Sequence, residues 1–118
     1  MDLTTGSELV PQARIEGDAL ILVAHGEIDL HNSPELRTVI FHFMTRHPVK
    51  KVIINMAQVP YMDSSAVAVL VEAIRRLKPV GGKLCLTSLQ PRVLGLLEIA
   101  RLVSIFTIAK DEADALTK

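Results

Sequence analysis

Residues 52–78, VIINMAQVPYMDSSAVAVLVEAIRRLK, hold the signals of a strand, a loop and a helix in succession. Val52, Ile53 and Ile54 form a short β-branched run of the kind that fills a central strand covered on both faces. A loop follows and ends in Asp63, Ser64 and Ser65, each able to cap a helix with a side-chain oxygen. From Ala66 to Lys78 no breaker interrupts the chain until Pro79-Val80-Gly81-Gly82. Strand, loop and helix in this order are the opening of a parallel crossover, and the flanking residues supply the rest.

Downstream, Lys83 to Thr87 reads as a strand, Pro91 to Ala100 as a helix opened by its proline, Val103 to Ile108 as a final strand, and Asp111 to Leu116 as a closing helix. Upstream, Leu9 to Glu16 and Ala19 to His25 are extended stretches joined by Gly17-Asp18, which has the chemistry of a tight hairpin turn. Within residues 26–36, GEIDLHNSPEL, Ser33 reads as an N-cap, Pro34 as a favourable first helical residue and Glu35 as an acid in the first turn. Leu36, Val39, Ile40 and Phe43 then share one helical face, Arg37 and His42 point elsewhere, and Pro48 ends the pattern. The string β-β-α-β-α-β-α-β-α predicts one α/β domain, a mixed sheet of about five strands packed with about four helices. Residues 1–8 read as a disordered or frayed terminus and residues 9–118 as the domain.

Composition narrows the function. The chain has 118 residues, 49% of them hydrophobic, which suits one core with no need of a metal or a disulfide framework. With 13 Lys and Arg against 13 Asp and Glu, the formal net charge is zero, unlike the basic excess of a nucleic-acid binder. The longest apolar runs, Ala19 to Ala24 and Ala66 to Val71, fall far short of the roughly 20 residues that span a bilayer. No direct membrane insertion is expected, and the single Cys85 fits a reducing cytoplasm.

Enzyme motifs fail on inspection. Ser64 stands in Met-Asp-Ser-Ser-Ala and not in the G-x-S-x-G of a nucleophile elbow, and the adjacent Asp63 cannot orient a histidine to activate its own neighbour. Gly82-Lys83 lacks the earlier glycine of a phosphate loop, because Leu77 stands there, and Leu84 replaces the hydroxyl residue. His25, His31, His42 and His47 lack the spacing of a helical metal pair. No enzymatic activity, cofactor or metal is expected. Two readings remain open for the helix start: a serine that merely caps, and a serine that takes a phosphate. A phosphate brings about −1.5 to −2 charges, which free N–H groups and the helix dipole tolerate while a partner packed against the unmodified hydroxyl does not. Tyr61 and Met62 are candidates for an apolar contact beside it; Val67 and Leu70, at helical spacing, are more often core.

These residues resemble the signature of STAS domains, and specifically the bacterial anti-sigma factor antagonists. The resemblance runs through Gly26-Glu27-Ile28-Asp29, the helix from Ser33, Val52-Ile53-Ile54-Asn55, Val59 to Ser65, and Gly81-Gly82-Lys83-Leu84. It implies a partner-switching regulator whose phosphorylated residue is Ser64, with Asp29, Asp63, Ser64 and Ser65 on the partner-binding surface, to which the apolar candidates Tyr61 and Met62 are added from the residues themselves. Unphosphorylated, such a protein binds an anti-sigma factor that is also a serine kinase of histidine-kinase-like ATPase fold and so frees a sigma factor. Phosphorylation ends the binding and a PP2C-type phosphatase resets it. Apart from the resemblance, a monomer is the default expectation for the free chain, whose oligomeric state the sequence leaves open. A constitutive STAS subunit of a stress-sensing scaffold or a lipid-transport ABC assembly is the alternative the resemblance leaves. The family continues Asp-Ser-Ser/Thr with Gly-hydrophobic-Gly, whereas this chain has Ala66-Val67-Ala68. Alanine firms the helix by about 1 kcal/mol per site but adds a methyl where a kinase backbone would approach.

Overall fold

A computed structural model describes residues 1–118. The hairpin comes first: β2 (Gln12–Glu16) and β3 (Ala19–His25) pair antiparallel, Glu16 opposite Ala19. Gly17 makes the two-residue turn possible at φ +60°, a conformation that costs most residues a Cβ clash. The chain then alternates α1 (Ser33–Arg46), β4 (Lys51–Gln58), α2 (Ser64–Leu77), β5 (Lys83–Thr87), α3 (Pro91–Ile99), β6 (Thr107–Ala109) and α4 (Glu112–Leu116). Strands β3 to β6 are parallel neighbours in sequence order, with Leu20, Val52 and Leu84 aligned across three of them.

The sheet has six strands, one more than the sequence predicts, because β1 (Asp2–Leu3) pairs antiparallel with β2. The terminal residues read as frayed thus begin with an edge strand, in which the Ile15 N–H donates to the Met1 carbonyl at 2.9 Å. Two residues are too few to show alternation, so no pattern marked this strand. Other boundaries moved for local reasons. Residues 103–105 form a 3-10 turn, which leaves only Thr107–Ala109 for the last strand.

Alternation along each strand divides the core. Val52, Ile54 and Met56 of β4 enter the main cluster with Leu36, Ile40 and Phe43 of α1, Val69, Leu70 and Leu77 of α2, and Val93 and Leu97 of α3. Ile53 and Cys85 face the other way and pack with Ala19, Ile21, Ala109 and Ala115, under α4. Three helices therefore cover one face and only a five-residue helix the other. Full burial of each such aliphatic side chain stabilises by about 1.5–3 kcal/mol, so the three-helix face carries most of the packing energy. The short α4 is held by polar contacts as well. Glu112 accepts from Arg14 Nη2 at 2.7 Å and Asn55 Nδ2 at 2.8 Å, while Lys51 Nζ donates to the Ala115 carbonyl at 2.9 Å.

At the lower end of the sheet the α1–β4 and α2–β5 connections touch. A Cβ on Gly82 would stand 2.4 Å from the Lys50 carbonyl oxygen, so glycine permits the close approach. The opposite end, where the parallel strands finish, is where an α/β fold brings its loops together.

Candidate functional site

Three connections meet at that end: residues 26–32 after β3, residues 59–63 after β4, and residues 88–90 after β5. Strand pairing continues into the first two. The Gly26 N–H donates to the Gln58 carbonyl at 2.8 Å, Ile28 N–H to Tyr61 O at 3.0 Å, and Asp63 N–H to Ile28 O at 3.0 Å. Gly26 permits the bend at φ +93°. Gln90 Nε2 ties the third connection to the Ala57 carbonyl at 2.8 Å.

Asp63 is the N-cap of α2. Its Oδ1 accepts from the Ser65 N–H at 2.9 Å, the Ala66 N–H at 3.4 Å and the Ser65 hydroxyl, and its Oδ2 accepts from the Leu30 N–H at 3.1 Å. One carboxylate thus both starts the helix and anchors the neighbouring loop. The Ser65 hydroxyl first, with the backbone N–H groups of Ser65, Ala66 and Leu30 adding to it, holds the Asp63 carboxyl below its usual range against the opposing effect of desolvation.

The reading in which Ser64 caps the helix is overturned by this arrangement. Asp63 takes the cap, Ser65 bonds to Asp63, and the exposed Ser64 has a hydroxyl that bonds to nothing in the protein. Its backbone N–H also lacks a partner, because it belongs to the first turn, where no preceding carbonyl is in reach. A free hydroxyl on a free N–H at a helix start can take an anion without disturbing an existing bond.

The other predicted residues divide. Asp29 lies half-buried in the first loop, its Oδ1 accepting from the His31 N–H at 2.9 Å and its carbonyl receiving the Ser33 N–H at 2.8 Å. Tyr61 is on the surface, with the Arg92 guanidinium 5.1 Å from its ring centroid. Met62 is a correction: it is 1% exposed and belongs to the main core, because the strand-like pairing with Ile28 turns its side chain inward. It offers a partner no surface. Ser33 likewise is no cap; Asn32 precedes the helix, and its Oδ1 accepts instead from the Asp29 N–H at 2.8 Å.

Sequence reasoning missed Leu30 and Arg92. Leu30 is 74% exposed, and its position as the one apolar residue in Asp-Leu-His-Asn was the available signal. Arg92 reaches the site from α3, and nothing in its local sequence marks that. The two alanines also part ways, Ala66 being fully buried in the core while Ala68 is exposed.

The mixed sheet, with three joined loops where its parallel strands end and the α2 N-terminus beside them, defines a single α/β domain. The STAS domain family model matches residues 10–115, and the chain belongs to that family. An anti-sigma-B factor antagonist of Bacillus subtilis is 33% identical over 98 residues, covering 82% of this chain and 87% of that protein. An anti-sigma F factor antagonist of Paenibacillus polymyxa is 27% identical over 99 residues, covering 84% of this chain and 85% of the relative. The structure of the anti-sigma factor antagonist SpoIIAA in its unphosphorylated form shares the fold, with a TM-score of 0.75 at 24% identity over 86% of this chain and 90% of that one. No helix here is long and apolar enough to cross a membrane.

Proposed function

We propose that this chain is a partner-switching regulator that works by binding and carries no catalytic machinery of its own. In its unphosphorylated form the face formed by Asp29, Tyr61, Asp63, Ser64 and Ser65 binds an anti-sigma factor that is also a serine kinase of histidine-kinase-like ATPase fold. Phosphorylation of Ser64 ends the complex, and a PP2C-type phosphatase restores it, all in the cytoplasm.

The observation that carries this reading is the uncommitted Ser64 hydroxyl, exposed beside a carboxylate that has taken over the capping role. A serine kept only for the cap would be bonded to the helix. Phosphate on Ser64 would add bulk and about −1.5 to −2 charges beside the ionised Asp63, and a partner seated there would have to desolvate both. The Ala66 methyl points into the core and leaves kinase access untouched, so the departure from glycine reaches the surface only at Ala68.

Binding of the Ser64→Ala and Ser64→Asp variants to the source organism's anti-sigma-factor kinases, each purified, tests the proposal. Ser64→Ala is expected to bind as wild type does and Ser64→Asp to fold normally and lose the complex. Equal binding by both would refute the switch and leave a constitutive subunit of a larger assembly.

A further inference from the structure

On this reading of the face, one large apolar side chain there remains unexplained. Leu30 is 74% exposed and packs against neither core cluster. The loop that carries it is held by hydrogen bonds on both sides of the leucine. The Leu30 N–H donates to Asp63 Oδ2, the His31 N–H to Asp29 Oδ1, the Asp29 N–H to Asn32 Oδ1, and Asn32 Nδ2 to the Glu27 carbonyl. The Ser33 N–H closes the turn onto the Asp29 carbonyl at 2.8 Å. The backbone is therefore fixed while the side chain stands in solvent, which is the preorganised presentation that makes an interface anchor effective.

We propose that Leu30 is the apolar anchor of the partner-binding face, seated in an apolar pocket of the kinase partner that an Arg or Lys flanks. The cation follows from charge complementarity. Glu27 is exposed with neither carboxylate oxygen bonded, and Asp29 uses only Oδ1, so two acids beside the anchor have unfilled acceptor sites. Asp63 joins the anchor to the switch: the carboxylate that holds the Leu30 backbone also caps the helix that begins at Ser64. The partner's footprint therefore takes in both.

The test measures affinity of wild type, Leu30→Ala and Leu30→Asp for each purified anti-sigma-factor kinase of the source organism, at low and high salt, beside the mass of the free proteins in solution. Leu30→Ala is expected to raise Kd about tenfold or more and Leu30→Asp to abolish binding, with unfolding midpoints unchanged because the side chain supports no core. Wild-type affinity is expected to fall with salt, and less steeply in Glu27→Gln. Binding by wild type with an unchanged Kd in Leu30→Ala would overturn the anchor while leaving the switch standing. Binding by wild type to no kinase would instead refute the proposed function, and this pocket with it. A wild-type dimer that Leu30→Asp dissolves would assign the anchor to a second copy of the chain and overturn the partner named here.

Discussion

Replacing Ala66 and Ala68 separately by glycine separates two roles that are indistinguishable in sequence. Both residues lie in the first half of α2, so each glycine costs about 1 kcal/mol in helix propensity. Ala66 is fully buried in the main core, and its methyl contributes a further ~1 kcal/mol of burial and packing that the exposed Ala68 does not. Ala68→Gly is thus expected to lose about 1 kcal/mol and Ala66→Gly about 2 kcal/mol, read as urea midpoints by far-UV circular dichroism at constant m. In thermal unfolding the variants should fall by about 4 °C and 8 °C for a chain of this size. The functional effect should run the other way. Ala68→Gly removes an exposed methyl one turn after Ser64 and, on the proposed function, is expected to raise the rate of Ser64 phosphorylation, whereas Ala66→Gly, assayed where it remains folded, should leave it unchanged. Equal destabilisation by the two substitutions, or a larger loss at Ala68, would refute the assignment of one methyl to the core and the other to the surface.

Stability should also respond to acid and to thiol reagents in defined ways. The carboxyls of Asp63, Glu72 and Asp114 are held low chiefly by the Ser65 hydroxyl, Arg37 and the Lys110 N–H respectively; at Glu112 burial opposes the shift, and bonds from Asn55 and Arg14 prevail. A lowered folded-state pKa contributes stability that is full above the unfolded value and disappears as pH falls through the folded one. The urea midpoint should therefore hold from pH 7 to 5 and decline below roughly pH 4, and a flat profile to pH 2.5 would contradict it. Cys85 is completely buried, and burial raises its thiol pKa against the weaker pull of nearby lysines. Ellman's reagent should leave it unmodified in the native protein and react in full in denaturant; rapid native reaction would show that α4 leaves the sheet readily.

The sequence carried the repeating part of the fold, because residues such as Val52 to Ile54 and Leu36 to Phe43 state their period directly. It did not carry β1, whose two residues gain their pairing from β2 and have no pattern of their own. At the site, the succession Asp63-Ser64-Ser65 marked a capped helix start, but which oxygen caps is a matter of backbone direction. At φ −106° and ψ −175° Asp63 turns its carboxylate over the first turn and leaves Ser64 free. Met62 follows the same logic: the strand-like pairing with Ile28 turns its side chain into the core, and no local pattern signals that pairing. The stacking of Arg92 on Tyr61 joins residues from two crossovers, and only the folded sheet brings them together.

Intact-mass spectrometry after incubation with ATP and an active anti-sigma-factor kinase of the source organism follows the phosphate itself, with wild type and Ser64→Ala side by side. One phosphate, about 80 Da, should appear on wild type and be absent from the variant. No addition to wild type, or the same addition to Ser64→Ala, would contradict the account.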